Sequence, residues 1–225
     1  MKAIVIPEAG KVEVQERPMV TRKKGEALLK LLYGGVCGSD LGTYRGTNLY
    51  TAYPCVIGHE FSAEVVEVEP NEFGIKEGML VTCNPYFNCG HCYSCQRGIV
   101  NACEDNQTMG CQRDGAFRQY ITMPVERIYD GKGLNPKLLA AIEPFCISYH
   151  GVRRADVQNG DKVLIVGAGT IGVLAAVAAK AKGATVYISD VSQGKLDMAL
   201  EFGVDGVILN DSPENFRKEV ERTTN

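Results

Sequence analysis

The feature that most constrains the fold is a glycine-rich turn directly after a short apolar run. Residues 161–166 are rich in β-branched side chains and predict a buried strand. The run leads into the pattern Gly-x-Gly-x-x-Gly, formed by Gly167, Gly169 and Gly172, and an alanine-rich segment follows. A strand, a glycine turn and a helix in this order are typical of a dinucleotide-binding βαβ unit.

Each position of this turn has a physical role in holding a pyrophosphate. Gly167 permits the tight turn, Gly169 lets the backbone approach the phosphates, and Gly172 lets the helix pack closely on the strand. Thr170 and Ile171 are predicted to contact the cofactor as well, because a helix N-terminus offers free N–H groups and a positive dipole end to an anion.

An acidic residue, Asp190, follows the next predicted strand at residues 185–189. At that position it would accept hydrogen bonds from the adenosine ribose and repel a 2′-phosphate. No arginine follows it directly, which favours NAD over NADP. Lys195 is a further candidate for a ribose contact, with an ordinary surface lysine as the alternative.

The two halves of the chain have different patterns. Residues 1 to about 145 contain short apolar or alternating runs separated by Gly and Pro, which predict a barrel or a sandwich. The predicted strands are residues 2–6, 11–16, 27–32, 61–69, 79–83 and 119–123. After residue 160, strands alternate with helices at 173–182 and 195–202, which predicts an α/β unit with a parallel sheet.

The α/β half contains three recognisable strands, the last at residues 206–209, whereas a full doubly wound domain has about six. We therefore expect the chain to stop part-way through that domain, with residues 221–225 as a polar tail after a helix.

Charge and hydropathy exclude several classes of protein. The chain has 225 residues with a formal net charge of −3, and no block of like charge attracts nucleic acid or a membrane surface. The longest apolar stretch, residues 163–179, contains three glycines and is a poor membrane span. The N-terminal apolar run is too short for a signal peptide. A cytoplasmic protein is the expectation.

Four of the nine cysteines lie close together as C-x2-C-x2-C-x7-C. Four thiolates at this spacing can surround one tetrahedral Zn²⁺, in a closed site that stiffens a lobe. An iron–sulfur cluster is the competing ligation. Zinc is preferred because no proline follows the last cysteine and no second cluster motif is present. The predicted ligands are Cys89, Cys92, Cys95 and Cys103.

A second group of metal-binding residue types is spread over two short motifs. Gly-Val-Cys-Gly-Ser-Asp surrounds Cys37, and Gly-His-Glu surrounds His59. Cys37, His59 and a carboxylate could form an open zinc site. Taken alone, a cysteine after valine is more often a core residue, and sequence spacing does not bring the two motifs together.

In combination, these motifs resemble the zinc-containing medium-chain dehydrogenases, and most of all their polyol branch of sorbitol, threonine and sugar-acid dehydrogenases. Order and rough spacing match along the entire chain. Asp-Gly-Ala-Phe-x-x-Tyr at residues 114–120 resembles the family's Asp-Gly-Gly-Phe-x-x-Tyr stretch. Glu143-Pro144-Phe145 resembles its Glu-Pro-Leu motif, and phenylalanine in place of leucine favours the sugar-acid members of the family.

The resemblance implies a GroES-like β-barrel catalytic domain at residues 1–150 and a truncated α/β Rossmann domain at 151–225. It implies that Cys37 and His59 are catalytic zinc ligands and that Glu60 is a ligand or an exchanging near-ligand. Glu143 would bind the metal directly or through water; the ethanol-type branch has a cysteine there.

The resemblance also implies roles for two neighbours of the metal. Asp40 would orient the imidazole of His59, and Ser39 would relay the proton of the substrate hydroxyl. The implied activity is hydride transfer from a secondary alcohol of a polyol or sugar acid to NAD, with one catalytic and one structural zinc. Relatives commonly form homo-oligomers.

Two alternatives stay open from the sequence. The substrate could be L-threonine or a simple alcohol, or the chain could be a zinc-binding fragment without turnover. A nucleic-acid-binding zinc module is disfavoured because no basic stripe accompanies the cysteines.

Overall fold

The computed structural model describes residues 1–224, and the chain divides into two units. The first is Met1–Glu143 and the second begins at Pro144. The boundary expected near residue 150 lies inside a helix, Ile142–Arg154. The fold class is mixed as predicted, with a β-rich first unit and an α/β second unit.

The first unit is built mainly from short strands. Its strands are β1 (Lys2–Ile6), β2 (Glu13–Glu16), β3 (Glu26–Gly35), β4 (Cys55–Val56), β5 (Glu60–Glu67), β6 (Leu80–Cys83), β7 (Tyr86–Phe87), β8 (Gln107–Thr108), β9 (Tyr120–Pro124) and β10 (Ile128–Asp130). Its helices are α1 (Gly38–Arg45), α2 (Tyr93–Gln96), α3 (Pro136–Ala140) and the start of α4 (Ile142–Arg154), with 3-10 turns at Val100–Ala102 and Val125–Arg127.

These strands form antiparallel sheets. The largest has the order β10-β6-β5-β3-β9, and β2-β1-β4 and β7-β8 form smaller ones. A bridge between Ala3 and Arg118 joins β1 to the segment before β9. The core contains Leu29, Phe61 and Ile121, each at most 1% exposed. Burying one such side chain stabilises the fold by about 1.5–3 kcal/mol.

All six strands predicted in this unit are present; β1 has the predicted boundaries, and those of the other five are shifted by up to three residues. β4, β7, β8 and β10 were missed because two or three residues carry no readable periodicity. The helices α1, α2, α3 and α4 were missed as well. In α1 the segment Gly-Ser-Asp-Leu-Gly-Thr-Tyr-Arg has almost no apolar face, so its helix is set by its ends and by tertiary contacts.

The second unit is a three-stranded parallel sheet with helices. Its elements are β11 (Lys162–Val166), α5 (Thr170–Ala181), β12 (Thr185–Asp190), α6 (Gln193–Glu201), β13 (Gly206–Leu209) and α7 (Pro213–Thr224). The strand order is β11-β12-β13. Ala176 and Ala179 of α5 are fully buried with Ile188 of β12, and these small side chains let the helix lie close to the sheet.

Two predicted boundaries in this unit are wrong. Helix α5 begins at Thr170, three residues earlier than its alanine-rich run. The expected polar tail is helical through Thr224, because charged residues one turn apart pair along α7, as in Arg217 Nε to Glu221 Oε1 at 2.9 Å. Asn225 lies outside the described residues. Within residues 1–224, no helix combines the length and apolar character needed to cross a membrane.

Candidate functional site

Cys37, His59 and Glu60 come together in the first unit. One ligand atom from each lies within 4.8 Å of the other two, and His59 and Glu60 are buried. The sheet explains this convergence. Gly35 at the end of β3 pairs with Glu60 at the start of β5, so the residues just beyond that edge are neighbours.

Asp40 ties the two metal-ligand motifs together. Its Oδ2 accepts a hydrogen bond from the Cys37 amide at 2.9 Å, and its Oδ1 accepts one from the Gly58 amide at 3.2 Å. Oδ1 also lies 3.9 Å from Nδ1 of His59, and Asp40 is only 3% exposed. A buried carboxylate in this position can orient the imidazole, which is the role predicted for Asp40.

The thiol and the imidazole stabilise each other's charged forms. Burial opposes protonation of His59, but a hydrogen bond to Cys37 and the charge of Asp40 outweigh it and raise its pKa to about 8. The pKa of Cys37 is lowered, chiefly by His59 and also by the side chain of Ser39. A cysteine binds metal as its thiolate, so an environment that lowers the pKa of Cys37 favours metal binding.

Glycines of the two motifs make room for this group. A Cβ at Gly35 would lie 2.3 Å from Oε2 of Glu60. Gly58 has φ +97°, and a Cβ there would lie 2.3 Å from the ring of Phe117.

The carboxyl group of Glu60 has a raised pKa. Burial is the main cause, and the charge of His59 opposes it.

Glu143 is also buried in this unit, but its carboxylate does not belong to the group of ligand atoms formed by Cys37, His59 and Glu60. Its Oε1 accepts a 2.5 Å hydrogen bond from the hydroxyl of Tyr86. The pKa of Tyr86 is raised mainly by burial and to a smaller extent by this hydrogen bond. Tyr86 was missed from the sequence, because a tyrosine in a two-residue strand carries no signal of its own.

The four clustered cysteines also converge, with sulfur atoms within 4.8 Å of one another. Backbone amides point at them: Cys89 N lies 3.2 Å from the sulfur of Cys103, and Cys92 N lies 3.4 Å from that of Cys89. The pKa of Cys92 is lowered, first by the amide of Glu104. Gly90 and Gly98, at φ +80° and +75°, permit the turns between the cysteines.

In the second unit the glycine turn joins β11 to α5. Gly167 has φ +106°, and a Cβ at Gly172 would lie 1.8 Å from the Gly167 carbonyl oxygen. A Cβ at Gly169, which caps α5, would meet no described atom within 4 Å. Packing therefore explains Gly172, whereas a side chain at Gly169 would meet no atom of the described chain. Thr170 and Ile171 begin the helix.

Asp190 ends β12 beside this turn. Its Oδ2 accepts from the Ala168 amide at 2.8 Å and its Oδ1 from the Ser192 amide at 2.9 Å. These two hydrogen bonds lower the pKa of the Asp190 carboxyl, and the bond from the Ala168 amide has the larger effect. Lys195 Nζ lies 3.8 Å from Oδ2. The structure thus brings the predicted turn, acid and lysine together.

Two family models match the chain. The alcohol dehydrogenase GroES-like domain matches residues 23–132, and the C-terminal domain of alanine dehydrogenase/PNT matches residues 148–224. The L-galactonate-5-dehydrogenase of Escherichia coli (strain K12) is 37% identical over 195 residues, which cover 87% of this chain and 57% of that protein. The sorbitol dehydrogenase of Halalkalibacterium halodurans is 37% identical over 92% of this chain and 62% of its own length.

Solved structures agree with these matches. Galactitol-1-phosphate dehydrogenase from Escherichia coli superposes with a TM-score of 0.90 at 31% identity, over 100% of this chain and 66% of its own. The chain spans 57 to 66% of the length of these three relatives. The chain belongs to the zinc-containing medium-chain dehydrogenases, in the branch that holds the sorbitol, threonine and sugar-acid dehydrogenases.

Proposed function

We propose that this chain functions as a zinc- and NAD-dependent dehydrogenase acting on a secondary hydroxyl of a polyol or sugar acid. The convergence of Cys37, His59 and Glu60 carries the proposal. Residues 1–150 would be the catalytic, zinc-binding domain, and residues 151–225 the first half of the NAD-binding domain.

The donor atoms suit two zinc ions of different kinds. Neighbouring ligand atoms on one tetrahedral zinc lie roughly 3.3–3.8 Å apart, given bond lengths of about 2.0–2.3 Å. Both groups need only small adjustments from within 4.8 Å to reach this spacing. Cys89, Cys92, Cys95 and Cys103 supply all four ligands of a structural site. Cys37, His59 and Glu60 supply three and leave a position for the substrate.

Zinc bound there would supply Lewis acidity that favours loss of the hydroxyl proton, and NAD would accept the hydride. The surrounding residues perform the remaining tasks. Asp40, whose Oδ1 lies 3.9 Å from Nδ1 of His59, would orient the imidazole. Ser39 is exposed and its side chain helps to lower the pKa of Cys37, so its hydroxyl would pass a proton from the site toward solvent.

The turn at Gly167–Gly172 would bind the pyrophosphate of NAD on the N-terminus of α5. Asp190, held by the amides of Ala168 and Ser192, keeps lone pairs for the ribose hydroxyls. Its charge would repel the extra phosphate of NADP, and Lys195 would lie against the ribose.

The cytoplasm is the proposed compartment, because the cysteines of both candidate zinc sites must stay reduced to bind metal. The proposed partners are a small-molecule substrate and, in the assembled enzyme, further copies of the chain. A second candidate substrate is L-threonine, since the L-threonine 3-dehydrogenase of Pyrococcus furiosus is 34% identical over 95% of this chain.

The test is oxidation of a panel of sugar acids, polyols and L-threonine with NAD, followed by the absorbance of NADH. The proposal expects turnover of a polyol or sugar acid that is lost in Cys37→Ala and retained in Cys146→Ala, since Cys146 belongs to neither group of ligands. Turnover that survives Cys37→Ala contradicts the proposal. A preference for L-threonine supports the second candidate.

A further inference from the structure

Phe117 contacts both of the segments that carry the candidate catalytic ligands. A Cβ at Gly34, three residues before Cys37, would lie 2.6 Å from Cε1 of its ring. A Cβ at Gly58, the residue before His59, would lie 2.3 Å from Cδ1 of the same ring. At these distances the ring edge occupies the space that a side chain at either glycine would need. One aromatic ring therefore rests on the strand that leads to Cys37 and on the turn that leads to His59.

The backbone ties Phe117 to the turn that contains Ile57 and Gly58. The Phe117 amide donates to the Ile57 carbonyl at 2.9 Å, and the Ala116 amide donates to the Gly58 carbonyl at 2.9 Å. On its other side, the Phe117 carbonyl accepts from the amide of Ile4 on β1 at 2.8 Å. The ring also packs against buried apolar residues of β1 and β4. Because protein interiors are close-packed, a ring held in this way acts as a spacer of fixed size.

The end of β3 depends on this ring for support on one side. The ladder between β3 and β9 has its last pair at Lys30 and Tyr120. Gly34 lies beyond that pair, and the three atoms nearest to a Cβ at this position all belong to the Phe117 ring. The opposite side of β3 pairs with β5. The contact between the ring and Gly34 therefore helps to set where the backbone enters the loop of Cys37.

We propose that Phe117 is a positioning residue that sets the separation of Cys37 and His59 in the proposed catalytic metal site. Ligands of a metal hold a productive geometry only when packed neighbours lock their positions. A phenylalanine has no metal-binding atom, so Phe117 acts through the two ligands. The inference rests on the proposed function, because it requires a metal at this group.

The test measures cobalt(II) binding by the full chain with Phe117→Leu, which removes the ring and keeps an apolar side chain. The spectrum of the same variant carrying Cys37→Ser is subtracted, which leaves the visible bands of the catalytic group. These bands should shift, and the affinity for cobalt, measured against a competing chelator, should fall roughly tenfold, as when a metal site loses a supporting residue. Phe117→Met should give the same result and serves if the leucine variant does not fold. Phe73→Leu, at an exposed phenylalanine of the same unit, should change neither readout.

A rescue experiment separates positioning from a general loss of stability. Gly34→Ala alone should shift the bands and weaken binding, because its Cβ meets the ring at 2.6 Å. In the Phe117→Leu background the same Cβ takes the place of the missing ring edge, so Gly34→Ala should restore part of the affinity. Gly58→Ala should not be rescued, because φ +97° strains an alanine whatever side chain residue 117 carries. A merely structural role for Phe117 would make the losses of Gly34→Ala and Phe117→Leu add, with no shift of the bands.

The outcomes separate this inference from the proposed function. Unchanged bands and affinity in Phe117→Leu, or additive losses in the double variant with Gly34→Ala, overturn the positioning role alone. If the wild-type spectrum equals that of Cys37→Ser, no metal occupies the group, and the proposed function fails together with this inference.

Discussion

Gly35 and Glu60 are cross-strand partners, and the side chain of Glu60 fills the space that a side chain at residue 35 would need. They pair between β3 and β5, and a Cβ at Gly35 would lie 2.3 Å from Oε2 and 3.0 Å from Cβ of Glu60. This pairing places the residues that follow β3 beside those that precede β5. The candidate catalytic group therefore depends on a close approach that only glycine permits.

Gly35→Ala should displace the Glu60 carboxylate and weaken metal binding at this group. Contact at these distances forces a shift of the Glu60 side chain or of the strand. Metal content per chain and chelator competition measure the effect. Gly38→Ala, at the first residue of α1, is the matched control, because a Cβ there meets nothing within 4 Å. Equal metal binding by both variants would contradict this account of Gly35.

Asp40→Asn should lower both stability and metal affinity. The carboxylate accepts from two amides, and an asparagine would turn an NH2 group toward one of them in a buried site. We expect a loss of about 1–3 kcal/mol in the free energy of unfolding. A loss of zinc affinity of roughly 10- to 100-fold should accompany it. Denaturant titration and chelator competition measure the two effects. Exposed Asp105→Asn should show neither.

Gly172→Ala and Gly169→Ala should fail in different ways. A Cβ at Gly172 would collide with the Gly167 carbonyl oxygen at 1.8 Å, so the second unit should lose thermal stability. A Cβ at Gly169 meets no described atom within 4 Å, so this variant should melt like the wild type and yet bind NADH more weakly. Calorimetry and fluorescence titration separate the two. Wild-type affinity for NADH in Gly169→Ala would rule out close approach of the pyrophosphate.

The sequence predicts much of the fold because its signals are local. The parallel unit from β11 to β13 follows from short β-branched runs, alanine-rich or amphipathic segments and glycine stops, and the strand Gly206–Leu209 is found as predicted. The convergence of Cys37 and His59 is not local. It depends on the register between β3 and β5. The prediction that Cys37 and His59 lie together therefore came from the resemblance to a family and not from their spacing in the sequence.

The same reasoning explains what was missed. Tyr86 contacts Glu143 across 57 residues from a strand of only two residues, and no periodicity marks it. The ligand roles of Glu60 and Glu143 stay predictions. Helix α4 was missed because its Glu-Pro start had been interpreted as a motif and not as the first turn of a helix.

Asp190→Ala should shift cofactor preference. The side chain accepts from the amides of Ala168 and Ser192 and carries the charge that opposes a 2′-phosphate. NAD affinity should therefore fall while NADP affinity falls less or rises. Titration with NADH and NADPH measures the ratio, and exposed Asp197→Ala is the control. An unchanged ratio would show that Asp190 does not face the ribose.

The most direct test of the central claim is the zinc content of the purified chain compared with that of Cys37→Ala. The account predicts two zinc ions per chain in the wild type and one in the variant, because Cys37, His59 and Glu60 hold one ion and the four clustered cysteines hold the other. Cys146→Ala should retain both. One zinc ion in wild type and in Cys37→Ala alike would contradict the assignment of Cys37, His59 and Glu60 as a catalytic metal site.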